Sequence, residues 1–313
     1  MKLRTEIELT KQESVLNYDS QIVLFGSCFA ENIGDKLDFY KFPHLVNPFG
    51  ILFHPIAIEN ALDDICQKKI YTENDLYFHN DLWQSFKHHS KFSSESKSEI
   101  LSNINTSIEN ANQFLKNTSH IIITLGTAWV YEFTEQQQLV ANCHKISQKK
   151  FQKRLLFLDE IEQSLKNTLQ IIHSFNPTAQ VIFTVSPVRH LSNGIAENSQ
   201  SKALLLTAIH QAINQKNTHY FPSFEIMMDD LRDYRFYKSD LIHPNDLAVA
   251  YIWEQFKKSW IDEKSYPLMD EISDIQKALQ HRPFNENSPK HQVFLKDLQL
   301  KIDELAKKRQ IHF

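Results

Sequence analysis

The chain has 313 residues, which fits one large α/β domain or two small ones, and 42% of its residues are hydrophobic, enough for a sizeable core. Its formal net charge of −4 lacks the basic excess of a nucleic-acid-binding surface, so we expect no nucleic-acid partner. The three cysteines, Cys28, Cys66 and Cys143, are too widely spaced for a disulfide framework and favour a reducing compartment.

Targeting signals are missing from the pattern as well. The first residues, MKLRTEIELTKQES, contain no apolar stretch of the kind that a secretory signal carries. No run approaches the roughly 20 apolar residues that span a bilayer. We therefore expect a cytoplasmic protein without a membrane span.

Short apolar runs alternate with helical patterns along the chain. Runs rich in β-branched or aromatic residues predict buried parallel strands at 21–25, 120–125, 180–185 and, with a weaker pattern, 218–221. Apolar residues spaced near 3.6 predict helices at 28–39, 55–67, 100–116, 154–175, 199–215 and 245–261. Residues 129–133 and 138–141 flank a polar turn and predict a hairpin. The alternation indicates βαβ units and a mostly parallel sheet, in which ligands bind beyond the carboxyl ends of the strands.

The C-terminal tail has a different pattern. Segments 270–280 and 289–309 predict two helices, and in the second Phe294, Leu298, Ile302 and Leu305 recur at helical spacing. Packing of this stripe on the main domain is favoured over a homodimer surface, although the pattern fits both. We predict an α/β domain over residues 1–265 and a helical extension packed on it over 266–313.

The first candidate site lies where the strand at 21–25 meets the next helix. Gly26 permits a tight turn, and Ser27 then begins the helix with its hydroxyl at the carboxyl edge of the sheet. Free N–H groups of the first helical turn are the donors that a developing oxyanion needs. The alternatives are that Ser27 is only a helix N-cap, or that the neighbouring Cys28 is the nucleophile.

The second candidate site is the run Ser-Asp-Leu-Ile-His-Pro at 239–244. Pro244 suits the first turn of the following helix, which places His243 at the start of that helix. The three-residue offset lets the Asp240 carboxylate reach His243 Nδ1, fix the tautomer and stabilise an imidazolium. The alternative is that Asp240 caps the turn and His243 is a surface histidine.

These motifs carry a resemblance to a known family. The segment Gly26-Ser27-Cys28-Phe29-Ala30 is the signature that names the GSCFA-domain family, which resembles a branch of the SGNH (GDSL-like) hydrolase superfamily. Segments 47–50, 125–128, 142–145, 186–189 and 240–244 are similar to that family too, so the resemblance covers about residues 20–260. GSCFA combined with a downstream Asp-x-x-His-Pro is a specific pair.

The resemblance implies a flavodoxin-like, three-layer α/β/α fold and a serine nucleophile, Ser27. It assigns Asp240 and His243 as the acid and base, and a Gly50 N–H as an oxyanion donor beside the Ser27 N–H. One block departs from the superfamily pattern, because Gly126-Thr127-Ala128-Trp129 stands where Gly-x-Asn-Asp is usual. Loss of one oxyanion donor costs about a hundred-fold or more in rate. Candidates to replace the missing asparagine are Thr127, Asn47 and Asn142.

Other polar segments are candidates for substrate contact. His144 and Lys145 fit this role better than a metal site, because Cys143 and His144 lack a second ligand pair at zinc spacing. Arg189 follows the strand at 180–185 and either grips an anionic group or forms a structural ion pair.

The region around His88 and His89 is predicted to form a lid or a wall of the cleft, with Trp83 and Phe86 just before it.

The sequence thus predicts a serine esterase that acts on a small-molecule or carbohydrate ester, for example an O-acetyl group. No cofactor is expected, since the chain has no G-x-G-x-x-G or P-loop pattern. One alternative is acyl transfer to a sugar or cell-envelope acceptor. Another is a binding module that keeps the fold without the reaction.

Overall fold

A computed structural model of the chain describes residues 5–213, 215–281, 283–285, 288–309, 311 and 313. In chain order its strands and α-helices are β1 (Ile22–Gly26), α1 (Cys28–Phe39), β2 (His44–Val46), α2 (Pro55–Cys66), β3 (Tyr77–His79), β4 (Leu82–Gln84), α3 (Lys97–Lys116), β5 (His120–Leu125), β6 (Trp129–Phe133), β7 (Gln138–Val140), β8 (Phe151–Leu155), α4 (Leu158–Phe175), β9 (Gln180–Val185), α5 (Ile195–Ala212), β10 (Thr218–Tyr220), α6 (Ser223–Glu225), α7 (Asp246–Trp260), α8 (Tyr266–Gln280) and α9 (Pro289–Arg309).

Five parallel strands form the central sheet in the order β10-β9-β5-β1-β2. The strand order reverses beside β1, because β2 lies on one side of it and β5 on the other. Such a switch point is where parallel α/β sheets bind ligands. Gly26 at the end of β1 pairs with Thr124 of β5, so the serine at position 27 begins its helix at this point.

Each face of the sheet is covered by its own hydrophobic core. One core packs Phe25, Ile123 and Phe183 against helices α2 to α5. The other packs Leu24 and Ile122 against α1 and α7. Helices on both faces of a mostly parallel sheet give three layers, which confirms the predicted α/β/α fold.

The predicted hairpin is confirmed and is part of a larger feature. β6 pairs antiparallel with β7 and also with β8, giving a separate three-stranded sheet in the order β7-β6-β8. The helix predicted from residue 154 was wrong at its start, because Arg154 pairs with Val130 in β8. Its guanidinium binds Glu160, whose carboxylate also accepts the Phe157 N–H, so α4 begins only at Leu158. Short strands β2, β3 and β4 were not predicted.

The C-terminal helical extension is present as α8 and α9. Ile272, Ile275, Leu298 and Leu305 form a small core between the two helices. Gln276 donates to the Phe39 carbonyl, which ties α8 to the end of α1. The division at residue 265 and the homodimer stay predictions. Among the described residues, no helix has the length and apolar character needed to cross a membrane.

Candidate functional site

Ser27 lies at the junction of β1 and α1, in a setting that only a preceding glycine allows. Gly26 has φ +134°, and a Cβ built there would stand 2.1 Å from the Thr124 carbonyl oxygen. The Ser27 N–H donates to the same Thr124 oxygen at 3.1 Å, and the hydroxyl accepts the Phe29 N–H at 3.3 Å. Ser27 has 0% of its surface exposed. The hydroxyl therefore acts as the N-cap of α1 and is closed off from solvent in this state.

Asp240 and His243 form a hydrogen-bonded pair. Asp240 Oδ2 lies 2.7 Å from His243 Nδ1, and Asp240 Oδ1 accepts the N–H groups of Ile242 and His243 at 2.8 and 3.0 Å. Those two backbone donors, followed by the imidazole, lower the pKa of Asp240 to about 2. The carboxylate is therefore ionised at neutral pH and holds the Nδ1–H tautomer. Among the described residues, none forms a hydrogen bond with His243 Nε2.

The serine and this pair lie on the same edge of the sheet. The loop with His243 is tied to the end of β9, because the Arg189 N–H donates to the Ile242 carbonyl at 3.2 Å. Between β1 and β9 lies only β5, so the two strand ends are about 10 Å apart. Cys28 and Ile242 also pack on the same hydrophobic core. No hydrogen bond joins the described atoms of Ser27 and His243.

Asn47 is the donor that the structure leaves free beside Ser27. Its Oδ1 accepts the Gly26 N–H at 2.9 Å, while its Nδ2 is buried and has no hydrogen-bond partner in the described part of the chain. The Ser27 and Gly50 N–H groups, expected as oxyanion donors, are both engaged, the latter with the Asn47 carbonyl at 2.7 Å. A buried amide without a partner is costly, so it points to a polar ligand at this place.

A cavity of about 290 Å³ opens over the end of β5 and the three-stranded sheet. Thr127 and Asn142 line it, and Trp129, Tyr131 and Lys153 stand along one wall. The Lys153 ammonium lies 5.7 and 4.9 Å from the centres of the Trp129 and Tyr131 rings and also binds Asn193. None of its lining residues, all in the described part of the chain, is Asp or Glu.

The profile of the GSCFA family matches residues 21–256, and that of the C-terminal domain of GSCFA domain proteins matches residues 272–313. The chain belongs to the GSCFA family. Among solved structures, it is similar to the crystal structure of a carbohydrate esterase family 3 from Talaromyces cellulolyticus. That likeness has a TM-score of 0.35 at 11% identity and covers 82% of this chain and 99% of the other. A search of curated proteins gave no match.

Of the remaining predicted contact residues of this GSCFA protein, two line the cavity and two do not. Thr127 Oγ1 is committed to Ser201 Oγ and the Trp129 N–H, both at 3.1 Å, whereas Asn142 faces the cavity. His144 is buried, with Nε2 on the Ser85 carbonyl at 2.9 Å, and Lys145 is exposed. Neither of these two lines the cavity. They stay predictions as substrate contacts.

Arg189 contacts the loop that carries His243 through both its backbone and its side chain. Its guanidinium sits 5.6 and 5.5 Å from the centres of the Tyr234 and Tyr237 rings and reaches the Leu241 carbonyl at 3.5 Å. Arg189 and the two tyrosines line a second, smaller cavity of about 180 Å³. Among the described residues, Arg189 has no carboxylate partner, so its role as an anion contact stays a prediction.

The segment around His88 and His89 packs against the turn at 47–50, and its role as a lid or a wall of the cleft stays a prediction. His88 is buried and stacks on Phe49 with ring centres 4.2 Å apart, and the His89 N–H donates to the Phe49 carbonyl. Gly50 has φ +76°, and a Cβ there would lie 2.2 Å from His89 Cβ. The two segments therefore pack so closely that only glycine fits at position 50.

Two residues at this edge carried no sequence signal, Lys202 and His190. His190 lines the cavity, and its Nε2 is buried without a hydrogen-bond partner among the residues that the structure describes. Burial lowers the pKa of His190 to about 3, so the ring is neutral. In the described part of the chain no cluster of three His, Cys, Asp or Glu could hold a metal ion, and the cysteines are free thiols. Burial raises the pKa of Cys28, the rival nucleophile.

Proposed function

We propose that this GSCFA protein is a serine esterase of the SGNH type, with Ser27 as nucleophile, His243 as base and Asp240 as the acid that orients it. The observation that carries the proposal is the 2.7 Å contact between Asp240 Oδ2 and His243 Nδ1. It leaves Nε2 without a hydrogen bond to any described residue, at the edge of the sheet where the serine begins its helix. A neutral imidazole held in this tautomer can accept a proton from a hydroxyl.

The reaction follows from these groups. His243 Nε2 takes the Ser27 proton as Oγ attacks the acyl carbonyl carbon, and a tetrahedral oxyanion forms. Asn47 Nδ2 donates to that oxyanion and so replaces the absent third-block asparagine. The imidazolium then gives its proton to the leaving alcohol, and water enters by the same route to release the acid. Asp240 stays ionised throughout and stabilises the imidazolium.

The cavity over the end of β5 supports a carbohydrate ester as substrate, although Ser27 and His243 are not among its lining residues. Trp129 and Tyr131 offer aromatic faces, and Asn142 and Lys153 offer polar donors around about 290 Å³ of space. Flat apolar faces combined with a few placed donors suit a ligand that has an apolar ring face and hydroxyl groups at its rim. The acyl group would then stand toward Ser27.

The closed position of Ser27 favours a second candidate, a binding module that does not catalyse. With 0% of its surface exposed, the serine cannot meet an ester until the hydroxyl leaves the Phe29 N–H and the site opens. The esterase proposal therefore requires such a movement, and the binding module does not.

A fluorophosphonate probe separates the two candidates, because it modifies only an activated serine. We expect covalent labelling of the purified protein at Ser27, seen as a mass increase on the peptide that contains it. Labelling should vanish in Ser27→Ala and persist in Cys28→Ala, the matched change one residue away. Absence of labelling in the unmodified protein would favour the binding module. Acetylated aryl sugars with and without an added sugar acceptor then divide hydrolysis from acyl transfer.

A further inference from the structure

Lys202 is a lysine sealed inside the protein at the carboxyl edge of the sheet. It belongs to α5 and has 1% of its surface exposed. Its ammonium donates to the carbonyl oxygens of Gly126 and Ser186, each at 2.7 Å. These carbonyls follow directly after β5 and β9, so one side chain joins the ends of the two strands that separate Ser27 from the loop of His243.

The charge of Lys202 is poorly compensated. Among the described residues no carboxylate pairs with it, and none accepts its third N–H. A buried ammonium without an ion partner is strongly unfavourable, and a fold can hold two carbonyls together with a neutral donor instead. A buried ammonium is unfavourable, and one of its three N–H groups has no acceptor among the described residues. We therefore infer that the ammonium does more than hold the two strand ends together.

The groups around the Lys202 ammonium include a neighbour in sequence of the proposed nucleophile. The titratable groups that face it in the described part of the chain are the Cys28 thiol of α1 and the His190 imidazole after β9, while the Phe224 ring lies 5.7 Å away. Cys28 is the residue next to the proposed nucleophile. Burial lowers the pKa of Lys202 to about 7, and Cys28 opposes this effect. The group therefore changes charge near neutral pH.

We propose that Lys202 is an electrostatic positioning residue of the Ser27 site. Its ammonium fixes the ends of β5 and β9 and supplies a positive charge that favours an oxyanion at Ser27, in addition to the hydrogen bond that Asn47 Nδ2 donates. The inference rests on the proposed esterase function, since it needs an anion to form at Ser27. It goes beyond that function because it adds a second ionisable group to the site, the Lys202 ammonium on α5.

The test is the rate of Ser27 labelling by the fluorophosphonate probe from pH 5.5 to 9. We expect the rate for the unmodified protein to fall with a midpoint near pH 7, as Lys202 loses its charge. Lys202→Met should lower the maximal rate about 10²-fold and abolish the fall. Lys202→Arg keeps a charge at every pH in this range, so it should retain labelling at pH 9. Lys166→Met, at an exposed lysine of α4, is the matched control and should keep the unmodified profile.

The outcomes separate the inference from the proposed function. No labelling of Ser27 at any pH contradicts the function itself. Labelling without a fall near pH 7, or a fall that persists in Lys202→Met, overturns the role of Lys202 alone. A profile of the unmodified protein without the fall overturns the role even if a variant fails to fold.

The charge of Lys202 also has a readout independent of activity. Its pKa is about 7 in the folded protein and 10.5 ordinarily, so the unfolded chain binds more protons between these values. The free energy of unfolding should therefore rise with pH from about 7 to 10, and it should rise less in Lys202→Met. If urea titrations give the same dependence of the unfolding free energy on pH for the two proteins, the lowered pKa of Lys202 is contradicted.

Discussion

The two halves of the candidate site are built in opposite ways. Asp240 and His243 lie three residues apart on an exposed loop, and their contact is made by the loop itself. Ser27 lies inside, and its surroundings come from β5, the turn at 47–50 and the first turn of α1. The proposed base is accessible, with 43% of the His243 side chain exposed, whereas the proposed nucleophile, Ser27, is fully covered. Any reaction therefore depends on a change on the side of Ser27.

Among the changes that test this comparison, removal of the His243 imidazole should have the largest effect on the rate of Ser27 labelling. We expect His243→Ala to slow labelling of Ser27 about 10³- to 10⁴-fold, because the serine loses its base. Free imidazole should restore part of the rate, since the vacated place is open to solvent. Mass spectrometry of the labelled peptide over time measures both effects. His79→Ala, on β3, is the matched control, and an unchanged rate in His243→Ala would exclude it as the base.

The second-largest effect on activity is expected from a change at Asn47, beside the buried serine. Asn47→Asp keeps the acceptor for the Gly26 N–H and removes the Nδ2 donor, so it tests the oxyanion contact apart from the turn. We expect kcat for an aryl ester to fall about 10²- to 10³-fold with little change in KM. The left-handed backbone at position 47, with φ 45°, is tolerated by both residue types. Asn60→Asp on α2 is the control, and equal activity of the two variants would dismiss Asn47 as the donor.

The sequence predicted local features well and tertiary ones poorly. Asp240 and His243 could be paired from their spacing alone, and the strands at 120–125 and 180–185 have the predicted bounds. The start of α4 could not be predicted, because the pairing of Arg154 with β6 overrides its helical pattern. Lys202 looked like any helical lysine, since only the fold seals it against two strand ends. The closed position of Ser27 likewise depends on residues distant in sequence.

The smallest effect tests strain on the exposed half. Leu241, between the acid and the base, has φ 57°, a left-handed conformation that costs a residue with a Cβ about 1–2 kcal/mol. Its side chain is 48% exposed, so little burial is lost on truncation. Leu241→Gly should therefore stabilise the protein by about 0.5–1 kcal/mol, after the entropy that glycine adds to the unfolded chain. Urea titrations measure this change, with Leu247→Gly at the exposed start of α7 as the control, which should destabilise. A loss of stability in Leu241→Gly would mean that the loop holds His243 through the leucine side chain rather than through its backbone.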